Sequence, residues 1–109
     1  MIAVIQRVLN AEVTVDGATV GKCSQGLLVL LGVASGDTKD DADAIIKKIP
    51  SLRIFCDEDG KMNRSLTDID GEVLAISNFT LLGNCRRGNR PDFMGAEKPA
   101  VASEMYDYF

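Results

Sequence analysis

Gly26-Leu27-Leu28-Val29-Leu30-Leu31-Gly32 is the stretch on which the reading of this chain turns. Five consecutive apolar residues between two glycines are too few for an independent helix. They suit a strand covered on both faces, because a half-buried strand would alternate apolar with polar residues. This run is the expected centre of the core.

Working outward, Ile2 to Val8 is rich in β-branched residues. Glu12 to Val15 and Ala18 to Lys22 flank Asp16-Gly17, a dipeptide suited to the positive-φ positions of a tight hairpin turn. After the central run, Ala42, Ile45, Ile46 and Ile49 recur at i, i+3, i+4 and i+7, the spacing of one apolar helix stripe. Asp37 and Thr38 are the N-cap candidates, Asp40 and Asp41 sit in the first turn, Lys47 and Lys48 in the last, and Pro50 is the stop. These signals predict a helix over 38–49. Leu52 to Cys56 reads as a short strand, Asp57-Glu58-Asp59-Gly60 as a turn, and Lys61 to Ser65 as a loop. Asp70-Gly71 turns the chain into Glu72 to Leu82, the longest strand candidate, and an Arg- and Pro-containing loop runs on to Pro99. Ala100 to Phe109 reads as a helix with Val101, Met105 and Tyr108 on one face. Strands interleaved with two helices predict an α+β (mixed α/β) domain, with helices packed on sheets, over 1–109.

Composition narrows the chemistry. At 109 residues, 46% hydrophobic and 26% charged, the chain falls in the range of one soluble globular domain. A domain of this size is marginal enough for self-association to help it. Neither a secretion signal nor a membrane span is expected, so the expected location is the cytoplasm. Cys23, Cys56 and Cys85 lie far apart, without a C-x-x-C pair and without histidine to complete a zinc site, so they read as structural thiols and no metal is expected. The chain contains no histidine at all, which excludes a Ser-His-Asp triad, a Cys-His dyad and an imidazole base. A net charge of −4 argues against coating nucleic acid by bulk electrostatics. Arg86-Arg87-Gly88-Asn89-Arg90 nonetheless places three guanidinium groups within five residues, either a solvated turn or a local phosphate-binding patch.

Ser77-Asn78-Phe79-Thr80-Leu81 turns polar near the end of its strand. A regular strand would project Asn78 and Thr80 from one face, and Ser77, Phe79 and Leu81 from the other. Polar residues at a strand end also commonly do no more than satisfy local backbone groups.

Five segments, taken in order, resemble the D-aminoacyl-tRNA deacylases. They are Ile5-Gln6-Arg7-Val8, Gly26 to Val33, Leu52-Arg53-Ile54-Phe55 followed by Asp59 to Asn63, Ser77 to Leu81, and Arg87-Gly88-Asn89-Arg90-Pro91-Asp92-Phe93. The resemblance implies hydrolysis of the ester of D-aminoacyl-tRNA by a homodimer without metal or organic cofactor. Its implied substrate is the acylated 3′-terminal adenosine and acceptor end of tRNA. It implies that Ser77, the Phe79 backbone N–H and Thr80 form the catalytic pocket, and that Asn78 and Arg7 bind substrate or the loop that selects its chirality. Asn78 stands where the family usually has glutamine, one methylene longer. The family's Gly-cisPro segment does not occur, since none of Pro50, Pro91 and Pro99 follows glycine, and the chain is therefore expected to be incomplete at its C-terminus.

An aminoacyl ester is already activated, so a histidine-free site can work by positioning water and stabilising the oxyanion with main-chain amides near Phe79 and Thr80. Thr80 as nucleophile would need a base. Arg86, Arg87 and Arg90 are expected on tRNA phosphates. A non-catalytic dimerising or tRNA-binding form of the same fold is the alternative.

Overall fold

The computed structural model describes residues 1–109. Seven strands and two α-helices follow one another as β1 (Ile2–Val8), β2 (Ala11–Val15), β3 (Ala18–Cys23), β4 (Gly26–Gly32), α1 (Lys39–Lys48), β5 (Phe55–Cys56), β6 (Met62–Arg64), β7 (Glu72–Ser77) and α2 (Pro99–Tyr108). Short 3₁₀ turns occupy Ile49–Ser51 and Phe79–Leu82. The mixed α+β class is as expected, and no helix is long and apolar enough to cross a membrane. Strands pair in the order β1-β4-β7, with β2-β3 and β5-β6 as separate two-stranded sheets.

β4 occupies the centre of its sheet, and Leu27, Val29 and Leu31, which share one face of the strand, are at most 1% exposed. Leu28 and Leu30 on the opposite face are half-buried, so the strand expected to be covered on both faces is fully covered on one. The bracketing glycines have a second reason to be there. A Cβ on Gly26 would lie 1.8 Å from the Glu72 carbonyl oxygen, and one on Gly32 would lie 2.6 Å from Leu82 Cδ2. Both ends of the strand meet a neighbour too closely for any side chain.

The chain forms two compact units. The first comprises Met1–Val4, Leu30–Ile46 and Ile76–Phe109. Its core is Val33, Ala42 and Met105, with Ile46, Ala102 and Phe109 packed against them. α1 starts where Thr38 accepts the first helical N–H groups, from Asp41 and Ala42, while the Asp41 carboxylate takes the Thr38 N–H at 2.8 Å. This reciprocal arrangement satisfies donors that a helix start leaves orphaned. On α2 the inward face carries buried Met105 and partly buried Ala102, and Phe109 at the C-cap packs against the same cluster. Val101 and Tyr108 are 44% and 43% exposed, so the predicted face Val101-Met105-Tyr108 is corrected to one centred on Met105 alone. Tyr108 instead donates its hydroxyl proton to Asp43 at 2.6 Å and lies beneath Lys39, whose Nζ is 5.0 Å from the ring centre.

The second unit comprises Ile5–Val29 and Lys47–Ala75. Its hairpin closes through Asp16 at φ 51 and Gly17 at φ 81, joining Val15 to Ala18 as a two-residue turn with both central residues left-handed. Asp57 Oδ1 accepts from the N–H groups of Asp59 and Lys61, and this anchors the turn between β5 and β6. The antiparallel pairing of Phe55 with Arg64 and Cys56 with Met62 makes a strand of residues expected to be a loop, and shortens the strand expected over 52–56. Ser65 and Asp68 cap each other, the Ser65 N–H on the Asp68 carboxylate at 2.8 Å and the Asp68 N–H on Ser65 Oγ at 3.2 Å.

Candidate active site

β7 ends at Ser77, not at Leu82. Phe79 to Leu82 has the composition of a strand, but the chain turns because Asn78 caps it. Asn78 is extended, at φ −147 and ψ 96, and its Oδ1 accepts the Thr80 N–H at 3.1 Å. The same oxygen receives the Thr80 hydroxyl in a short hydrogen bond. Closing the turn, the Gly83 N–H reaches the Thr80 carbonyl at 3.0 Å. The start of the turn is fastened to β4, where the Asn78 N–H donates to the Leu31 carbonyl at 2.8 Å. Gly32 admits it: a Cβ there would stand 3.1 Å from the Asn78 carbonyl oxygen and from Leu81 Cβ, besides striking Leu82. Asn78 and Thr80 therefore do not project side by side from a strand. They are locked to each other.

Ser77 and Phe79 line a cavity of about 520 Å³ whose other walls include Phe93, Glu97, Pro99 and Tyr106. Phe79 and Phe93 meet edge to face, with centroids 5.3 Å apart and planes at 68°, a favoured aromatic geometry. Glu97 is the acid of this cavity. Its carboxylate is held below the ordinary range first by the Lys98 backbone N–H at 2.8 Å and then by the Gly36 N–H at 3.2 Å. An ionised carboxylate with both oxygens accepting main-chain donors is a structural clamp and a poor proton acceptor. Nothing in the sequence pattern around Glu97 or Tyr106 marks them as cavity walls; among the facing walls the signal lies in Phe93, which ends the segment Arg87 to Phe93.

Of the expected pocket residues, Ser77 ends β7, Asn78 caps the turn that follows and Phe79 and Thr80 lie in it, with Ser77 and Phe79 facing the cavity. Phe79 occupies the first helical position, whose N–H has no acceptor within the turn. The Thr80 N–H, by contrast, is taken by Asn78.

The arginines occupy the tip of a loop closed by the paired backbones of Asn84 and Asp92, at 2.7 and 2.8 Å. Asn84 Oδ1 accepts the Arg86 N–H at 3.0 Å, and Gly88 turns the chain at φ 119. Arg86, Arg87 and Arg90 are exposed, and none is in an ion pair. Arg7 belongs to the second unit. Its Nη1 donates to the Ile54 carbonyl at 2.9 Å and lies 3.8 Å from Cys56 Sγ, beside a cavity of about 620 Å³ that Gln25, Phe55 and Arg64 also line.

This architecture is that of the tRNA-deacylase fold. The chain superposes with a TM-score of 0.79 on a structure described as a probable eukaryotic D-amino acid tRNA deacylase, at 17% identity, covering 96% of this chain and 62% of that one. It superposes with a TM-score of 0.90 on a c-Myc DNA unwinding element binding protein, at 39% identity, covering 97% and 71%. Residues 4–109 match the family of D-Tyr-tRNA(Tyr) deacylases, and the chain belongs to that family. D-aminoacyl-tRNA deacylase of Persephonella marina is 58% identical over 109 residues, covering 100% of this chain and 74% of the relative. Those of Thermus aquaticus and Syntrophomonas wolfei are 55% and 54% identical, each covered over 72% of its length by 100% and 99% of this chain.

Proposed function

We infer that this chain hydrolyses the ester bond of D-aminoacyl-tRNA, releasing free D-amino acid and tRNA in translation quality control. The observation that carries this is identity of 54 to 58% with D-aminoacyl-tRNA deacylases along essentially the whole chain, the cavity-bearing turn included.

The reaction runs without an imidazole. Water attacks the ester carbonyl carbon, forming a carbon–oxygen bond and a tetrahedral oxyanion. Collapse of that intermediate breaks the bond to the ribose oxygen, and the proton lost by the water reaches the leaving oxygen, with the neighbouring ribose hydroxyl organising the transfer. The Phe79 N–H is the donor for the oxyanion, a contribution of about 3 kcal/mol for one well-placed group. The Thr80 N–H, also expected in this role, is occupied by Asn78 and is dropped from it. Thr80 is unsuited to act as nucleophile, because its hydroxyl proton rests on an amide oxygen, which is no base. Ser77 borders the same cavity and is assigned to substrate orientation.

Outside the pocket, Arg86, Arg87 and Arg90 are assigned to phosphates near the tRNA acceptor end, their exposure and lack of carboxylate partners supporting this. The reading further takes the protein as a cytoplasmic homodimer, which suits Ile2 and Val4, 41% and 44% exposed on β1. Release of amino acid from D-tyrosyl-tRNA and L-tyrosyl-tRNA is the test. Hydrolysis of the D ester above its spontaneous rate is expected. Binding of tRNA without turnover would overturn the enzymatic reading in favour of a non-catalytic tRNA-binding protein, and an acyl-enzyme trapped on Thr80 would overturn the backbone-led mechanism.

A further inference from the structure

Two guanidinium groups line one cavity in the second unit, and little of their hydrogen-bonding capacity is used. Arg7, near the end of β1, is pinned by its Nη1, which donates to the Ile54 carbonyl at 2.9 Å and approaches Cys56 Sγ at 3.8 Å. That leaves the hydrogens of Nε and Nη2 without an acceptor. Arg64 closes β6, where the antiparallel register sets it opposite Phe55, and its ion pair is a 3.5 Å contact to Glu58, whose side chain is 91% exposed. An exposed pair of this kind holds little free energy and yields to a better partner. Both arginines line the cavity of about 620 Å³, a volume in the range of small-ligand sites, and no carboxylate lines it with them. Asp57 and Asp68 feel the charge of Arg64, but their oxygens are held by the N–H groups of Asp59, Lys61 and Ser65.

We propose that this cavity binds a nucleotide through its phosphate monoester. The charge calls for an anion, and the number of donors selects phosphate over carboxylate. A carboxylate has two oxygens and fills one guanidinium fork, whereas a terminal phosphate has three and can take donors from both arginines. The rest of the wall calls for a flat, partly apolar body. Leu9, Phe55 and Ile69 supply apolar surface, and the Gln25 amide, with a donor and an acceptor side by side, matches the edge of a heteroaromatic base. Inorganic phosphate alone would leave those walls wet. All of these residues belong to the second unit, so the site does not rest on the reading of the cavity at Ser77 and Phe79. The same chemistry is offered by a free nucleoside monophosphate and by the 5′-terminal phosphate of an RNA.

Calorimetric titration with AMP, and with adenosine as the control that lacks the phosphate, tests the site. AMP is expected to bind at least about 10-fold more tightly than adenosine, as the loss of a charge-assisted hydrogen bond implies. Arg64→Gln is expected to weaken AMP binding about 10-fold. It leaves the contact of Arg7 with Ile54 in place, so it reads the site even if changes at Arg7 disturb folding. Arg7→Lys keeps the charge without the fork and is expected to weaken binding by a similar factor. Cys56 lines the cavity, so in the Cys85→Ser protein saturating AMP is expected to slow alkylation of Cys56 by iodoacetamide several-fold. Binding of adenosine as tight as that of AMP would overturn the proposal. So would AMP binding undiminished in both arginine variants, or bound AMP that leaves the rate at Cys56 unchanged. The source of the phosphate is read with tRNA carrying its 5′-phosphate and the same tRNA after phosphatase treatment. A preference for the phosphorylated tRNA that Arg64→Gln abolishes assigns the site to an RNA end, and equal binding of the two tRNAs beside tight AMP assigns it to a free nucleotide. Equal binding of the two tRNAs without binding of AMP overturns it.

Discussion

Gly32 and Leu82 occupy space that a single extra methyl group would deny them: a Cβ on Gly32 falls 2.6 Å from Leu82 Cδ2. Through this approach the last turn of the site region sits against β4. Gly32→Ala is expected to destabilise the protein by about 1–3 kcal/mol, the range for overpacking a filled space. It is also expected to lower turnover, since the Asn78 carbonyl is only 3.1 Å from the same point. Urea unfolding alongside D-aminoacyl-tRNA hydrolysis checks both. An unchanged midpoint would show that Leu82 yields freely.

The reassigned face of α2 has a direct energetic consequence. Met105 is 8% exposed and packs with Val33 and Ala42, so Met105→Ala is expected to cost about 2–5 kcal/mol from lost burial and the cavity left behind. Val101→Ala, at a residue 44% exposed on the same helix, is expected to stay within about 0.5 kcal/mol. Denaturant midpoints of the two variants should differ widely, and equal midpoints would restore the originally expected face.

Changing Arg86, Arg87 and Arg90 together to Ala is expected to weaken tRNA binding and to flatten its salt dependence, by about 2 to 3 in the slope of log affinity against log salt if all three meet phosphates. A titration over several salt concentrations measures this. An unaltered slope would make the loop ordinary solvated surface.

Acid stability follows from the carboxylates that main-chain donors hold in ionised form. Asp68 lies below its ordinary 3.8, chiefly through the Ser65 backbone N–H and then the Ser65 side chain, and Glu72 lies below 4.5, chiefly through the Ser24 backbone N–H. A carboxyl whose pKa is lower in the folded than in the unfolded chain binds fewer protons when folded. Its contribution is present above the unfolded value and disappears as pH falls through the folded one. Stability is therefore expected to hold from about pH 6 to about pH 5 and to decline below about pH 4.5. Asp68→Asn should make the decline shallower, as urea midpoints at successive pH values would record.

Much of the fold was legible in the sequence because its signals were redundant. The apolar stripe Ala42-Ile45-Ile46-Ile49, the acidic first turn and the basic last turn all pointed to α1, which forms over Lys39–Lys48. Likewise Asp16-Gly17 fell between two strand candidates, Glu12 to Val15 and Ala18 to Lys22, and the hairpin is present. The site was legible as a neighbourhood and illegible as a geometry. Phe79-Thr80-Leu81-Leu82 has strand composition, and what bends it into a turn is a cap from Asn78 together with room at Gly32, a residue 46 positions away in sequence from Asn78. Local propensity contains neither. Met62 to Arg64 was missed for a related reason, since its strand character comes from pairing with Phe55 and Cys56 and not from its own polar residues. On α2, Val101 is as apolar as Met105 and Tyr108 carries a large apolar ring, so composition could not choose the inward face.

The distribution of thiols opens a route to watching tRNA arrive. Cys23 is buried, whereas Cys56 and Cys85 are exposed, and Cys85 directly precedes Arg86 at the rim of the arginine loop. With Cys56 replaced by serine, a thiol-reactive fluorophore would label Cys85 alone. The emission of that dye would then report in real time whether tRNA docks at this loop, separately from hydrolysis of the ester.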